Sequence, residues 1–200
     1  MCLGGWTSQQ QRLKKQITAD TPPPPPGRAT PAVAALPPSP PDATIAYIRH
    51  LLQICIEIEH STIPLYLTAV YSMRNTSSWE HGVILGVVIE EMLHMTNVAN
   101  LLNAIGGHPD ISKPDFVPNY PITIPVINIS AGISPFGKSA TATFEQVESG
   151  FEATKTIRAT YTWIAQTLRT LCQQLGEKTV FSGEPALQVR VTAQTASTRA

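Results

Sequence analysis

Three stretches of the chain carry apolar residues at alternating spacings of three and four, the period that lines one face of an α-helix. The first runs Ile48, Leu52, Cys55, Glu59, Thr62, Tyr66, Ala69, Met73. The second runs Ile84, Val87, Glu91, His94, Val98, Leu101, Ile105. The third runs Phe144, Val147, Phe151, Thr154, Ile157, Tyr161, Ile164, Leu168, Leu171, Leu175. Three long amphipathic helices are predicted. Asp42, after Pro41, opens the first as an N-cap, and Pro64 should kink it before it ends near Arg74 and Asn75. Ser77-Ser78-Trp79-Glu80 matches a capping box and opens the second, which Gly106-Gly107 and then Pro109 close. Thr143-Phe144-Glu145-Gln146 is a second capping-box match and opens the third. Gly150 weakens its first turns, and Gly176 closes it.

Only a few residues join the first two helices, so they must be antiparallel neighbours. Residues 107–142 are proline-rich and lack a helical period. Ile122 to Ile129 alternates weakly but Pro125 interrupts it, which predicts at most a short edge strand. Ten of the eighteen prolines fall between Pro22 and Pro41, so residues 1–41 read as a disordered leader. Residues 42–176 form the helical domain, and residues 177–200 an irregular polar tail.

Composition narrows the function. Net charge is zero and 14% of residues are charged, which argues against nucleic acid as a partner. The three cysteines, Cys2, Cys55 and Cys172, are odd in number and far apart. They make neither a disulfide framework nor a zinc cluster, and they fit a reducing, cytoplasmic location. The longest wholly apolar run in the helical segments, Val83 to Ile89 with one glycine, is short of the ~20 residues of a membrane span. No membrane association is expected.

Chemistry enters where the seams are broken. Glu59 is the charged member of the first seam, and Glu91 and His94 are the ionisable members of the second. Glu91 and His94 are three apart, hence one turn apart on one face. A carboxylate or imidazole in an apolar seam is costly unless paired or coordinated. Counted back from the turn, Glu59 and Glu91 reach similar heights, so the three side chains can meet. A Glu on one helix and Glu-x-x-His on the next is half of the carboxylate-bridged dinuclear site of helix bundles. Carboxylates are hard oxygen ligands, and imidazole supplies a nitrogen that holds Fe(II), so iron or manganese is the expected metal. Tyr66 follows Glu59 by seven residues on the same face and is the candidate catalytic and hydrogen-bonding residue beside the metal. Glu57 faces elsewhere, Glu90 is a rim residue, and His60 and His81 read as surface. His50 and His108 read as helix-end or surface residues. Met73, Met92 and Met95 read as core packing.

The segments LLQICIEIEHSTIPLYLTAVYSM, VIEEMLHMTNVANLLNAIGGHPD and PDFVPNYP resemble the ferritin-like family called the iminophenyl-pyruvate dimer synthase domain. LGEKTVFSGEP is similar to the segment after that family's third helix. The resemblance covers roughly Asp42 to Val189 and implies an all-α, ferritin-like up-down helical bundle. It matches Glu59, Tyr66, Glu91 and His94 to the pattern Glu-x6-Tyr and Glu-x-x-His. That pattern also implies a Glu on the third helix and a second Glu-x-x-His on a fourth. No histidine follows His108, so the second motif is missing, as in a truncated copy. Glu148, at the edge of the third seam, is the substitute carboxylate, ahead of Glu145 and Glu152.

Two functions follow. The first is a non-haem iron oxidase or synthase with metal ligands Glu59, Glu91, His94 and Glu148, which activates dioxygen or peroxide. The resemblance implies that its small-molecule substrate is an amino-acid-derived imine. In one version a homodimer rebuilds the full ligand set around a twofold axis. The alternative is a degenerate, non-catalytic helical module whose uncovered apolar face binds a protein partner.

Overall fold

The computed structural model describes residues 44–124, 129–149 and 157–190. The expected leader and the last ten residues lie outside them. The described chain is all-α apart from one small hairpin. Its helices are α1 (Ile45–Ser72), α2 (Trp79–Ala104), α3 (Lys138–Ser149), α4 (Ile157–Leu175) and the short α5 (Glu177–Val180). Strands β1 (Ile122–Ile124) and β2 (Ile129–Ala131) lie between α2 and α3, and a 3₁₀ turn spans Pro185–Leu187. The predicted third helix is thus described as two segments, α3 and α4, with residues 150–156 between them outside the described residues.

The seams are the buried faces. On α1, Ile48, Leu52, Cys55, Glu59, Thr62, Tyr66 and Ala69 are all buried. On α2, Ile84, Val87, Glu91 and Val98 are buried, as is Ile105 just past its end. Pro64 sits inside α1, which continues through it to Ser72. The helix ends correct the predicted caps by a residue or more. Thr44 Oγ1 accepts the Tyr47 N–H at 3.2 Å and caps α1, whereas Asp42 lies outside the described residues. Ser78, not Ser77, caps α2 through the His81 N–H at 3.3 Å; the Ser77 N–H instead closes a turn onto Asn75 Oδ1. Helix α3 starts at Lys138, so Thr143 is an interior residue. Its hydroxyl bonds back to the Ser139 carbonyl, a habit of mid-helix threonine. At the far end of α2 the expected glycine stop holds. Gly106 adopts φ +72°, its N–H reaches Asn103 O, and the Gly107 N–H reaches Leu102 O, the paired bonds of a Schellman close.

The chain divides into two compact bodies. One is built from Ser61–Val88 and Pro118–Thr160. In it the hairpin pairs Ile122 with Ala131, Thr123 with Ser130 and Ile124 with Ile129. Ile122, Ile124, Ile129 and Ala131 all face inward, and β2 packs on α3. The weak alternation around Pro125 is therefore two strands rather than one broken strand. Tyr66 lies against Phe144, with ring centroids 4.5 Å apart, and Tyr120 Oη donates to Ser61 O at 2.7 Å.

The other body comprises the described parts of Leu36–His60, Ile89–Val117 and Tyr161–Ala200. Its core joins Ile48, Leu52 and Ile56 of α1, Val98 and Leu102 of α2, and Ile164, Leu168 and Leu171 of α4. Arg49 meets Ile105 and Glu59 meets His94, so α1 and α2 run antiparallel here as predicted. Residues 177–190, expected to be an irregular tail, are ordered against the end of α2. Val180 is fully buried, the Gly183 N–H bonds to Ala104 O, and Asn103 Nδ2 donates to Leu187 O.

Helix α2 is long and apolar enough to cross a membrane by length and composition alone, a test that core helices of soluble proteins also pass. The longest apolar run in the sequence does not reveal this. Met92, expected in the core, is exposed, while Met95 packs on the core. His60, expected on the surface, is half-buried, with its ring on Phe116 at 4.4 Å. Burial lowers its pKa.

Candidate metal centre

Two adjacent turns of α2 bring Glu91 and His94 to one face, and α1 brings Glu59 opposite them. His94 Nδ1 lies 3.5 Å from Glu59 Oε2 and 3.9 Å from Glu91 Oε1. One ligand atom from each of the three residues lies within 4.8 Å of the others, close enough to share one metal ion. The side chain of Glu59 is 4% exposed and that of Glu91 10%, against 32% for His94. The imidazole is therefore the side open to solvent, and the carboxylates form the floor. Two carboxylates held this close and this deep cost several kcal/mol per ion when uncompensated. A divalent cation offsets that cost, and two oxygens with one imidazole nitrogen suit Fe(II) or Mn(II). The donor set fits a metal.

The third side of Glu59 is occupied by α4. Tyr161 Oη donates to Glu59 Oε1 at 2.5 Å. Burial, then the Glu59 charge and then Cys55 push the Tyr161 hydroxyl far above the usual phenol range, so it stays a donor. Cys55, one turn before Glu59 on α1, lies close enough to Tyr161 for each to shift the other's pKa. Burial, with the Glu59 charge adding and the Tyr161 hydroxyl opposing, pushes its thiol up to about 12. Sequence reasoning placed Tyr161 in the third seam without a role. The available signal was its polar tip in a stripe whose other members, Thr154 apart, are apolar.

Tyr66 Oη donates to Glu148 Oε1 at 2.7 Å, so those two residues meet one another, and Glu148 is not among the three clustered ligands. Glu57 does face away, accepting from Lys113 Nζ at 2.6 Å and from Gln53 Nε2. Glu90 is exposed.

The fold and this cluster define a helical protein with a carboxylate–histidine group able to hold a metal ion. The family model Ferritin-like matches residues 52–198, and the chain belongs to the ferritin-like family. No curated protein and no solved structure matches the chain.

Proposed function

We propose that this ferritin-like protein holds non-haem iron at Glu59, Glu91 and His94 and acts as an oxidoreductase or synthase on a small molecule. The convergence of three ligand atoms within 4.8 Å, two of them on buried carboxylates, carries the reading. Bound iron would supply one-electron redox chemistry toward dioxygen or peroxide. The chain's own part is to fix two carboxylates from below, present one imidazole nitrogen, and keep water from the buried side. The segments that resemble iminophenyl-pyruvate dimer synthase domains support an amino-acid-derived imine as substrate. Free thiols at Cys55 and Cys172 fit a reducing, cytoplasmic location.

A homodimer is the second reading. Ile89 and Met92, on the turns of α2 beside Glu91, are 41% and 44% exposed. Apolar side chains so placed favour a second copy that covers the open side of His94 and adds its own ligands. Anaerobic Fe(II) titration of the full chain, with metal analysis and sizing before and after, tests both readings. Iron at about one per chain, lost in Glu91→Ala and His94→Ala, supports the site. Iron-dependent dimerisation supports the second copy. A chain that ignores Fe(II) overturns both.

A further inference from the structure

A carboxylate can present either or both of its oxygens to an ion, and which it presents depends on what holds the other. In Glu59 the two oxygens are already distinguished. Oε2 faces His94 Nδ1 at 3.5 Å, while Oε1 accepts the Tyr161 hydroxyl at 2.5 Å. The phenol has one proton to give. Tyr161 and Glu59 thus form a directed pair, Oη–H to Oε1. Cys55 is 2% and Glu59 3% exposed, so water has little room to replace a missing link. The core residue Ile164, buried one turn beyond Tyr161 on α4, anchors the helix that carries the phenol.

We infer that Tyr161 is a positioning residue that holds Glu59 by Oε1 and so orients Oε2 as the oxygen that would hold the metal. The inference rests on the metal-site reading above and deepens it. It assigns α4 a part in a site whose ligands come only from α1 and α2. Without the phenol proton, Oε1 loses this donor and Glu59 is held less firmly in the orientation that turns Oε2 toward His94. Hydrogen-bonding partners of metal ligands typically matter by 10- to 100-fold in metal affinity.

The test uses the full-length chain and Mn(II) alone. Mn(II) affinity, stoichiometry and electron paramagnetic resonance spectrum are compared between wild type, Tyr161→Phe and the control Tyr47→Phe. Tyr47 packs edge-on to Trp163 in the same body and carries no bond to the cluster. The expected result for Tyr161→Phe is an affinity loss of about 10- to 100-fold with stoichiometry kept, an altered Mn(II) spectrum, and a metal-free chain that still melts cooperatively, only modestly below wild type. Tyr47→Phe should leave affinity and spectrum unchanged. If Tyr161→Phe binds with wild-type affinity and spectrum, the positioning role is overturned while the metal site stands. If its affinity and metal-free melting collapse together, its role is merely structural and the inference fails. If wild type takes up no Mn(II), both the inference and the site are overturned.

Discussion

The guanidinium of Arg49 donates twice to the carbonyl of Ile105, from Nε at 2.9 Å and from Nη2 at 2.5 Å. The carbonyl belongs to the close of α2, where the helix leaves its last acceptors without partners. A cation there also meets the negative end of the helix dipole. Arg49→Met keeps the aliphatic stem and removes both bonds. Unfolding by urea should show a loss of about 2 kcal/mol, the range for hydrogen bonds to a charged group. A variant as stable as wild type would show the contact to be idle.

Gly183 is held against the last turn of α2. An added Cβ would fall 1.7 Å from Asn103 O, a backbone atom that cannot step aside. Gly183→Ala should therefore peel residues 182–190 from α2. Limited proteolysis, read by mass spectrometry, should show new cleavage in that segment within a chain that still melts cooperatively. Unchanged cleavage would mean that the segment re-seats.

Tyr120 gives a prediction in pH. Burial pushes its hydroxyl up to about 12 from an ordinary 10.0, so the folded state favours the protonated phenol. A raised folded pKa contributes stability in full below pH 10, and that contribution is lost between about 10 and 12 as the unfolded chain ionises first. The group is partly open to water, which cuts the contribution to roughly 1 kcal/mol. Between pH 9 and pH 12, wild type should lose about that much more stability than Tyr120→Phe. Parallel curves for the two would contradict the assignment.

Removing a ligand should separate stability from binding. Glu59 and Glu91 are like charges in one buried cluster, which strains the metal-free chain. Glu91→Gln keeps the shape and removes one charge. Metal-free Glu91→Gln should melt at or above the wild-type temperature, while the stabilisation that Mn(II) gives the wild type, about 2.7 kcal/mol at a hundred times Kd, disappears. A metal-free variant that melts well below wild type would mean that the carboxylate is structural.

The seams were legible because burial against a neighbouring helix imposes a local period. Glu59, Glu91 and His94 stood out for the same reason, as the ionisable residues of apolar stripes. What escaped depends on residues far away in sequence. Glu57 and Gln53 of α1 hold the segment after α2 through Lys113 and Asp110, and Phe116 of that segment covers His60. No periodicity within α1 announces such a cover. Met92 failed in the opposite sense, since an apolar residue between seam positions has no neighbour among the described residues to bury it. Thr143 fits a capping box in sequence, yet the chain upstream of it is already helical from Lys138. Tyr161 joined the site through a partner 102 positions earlier, a separation over which sequence spacing says nothing.

Asn100 offers Val189 one donor and one acceptor, Nδ2 to the carbonyl at 2.7 Å and Oδ1 from the N–H at 2.8 Å. A single carboxamide thereby imitates the edge of a β-sheet. Because it reads main-chain atoms only, and the Val189 side chain points outward at 64% exposure, position 189 is free to change its side chain, provided that it keeps an N–H, while position 100 is not. The docking of this segment is thus specified from the helix side, by a residue whose reach a glutamine, one methylene longer, would overshoot.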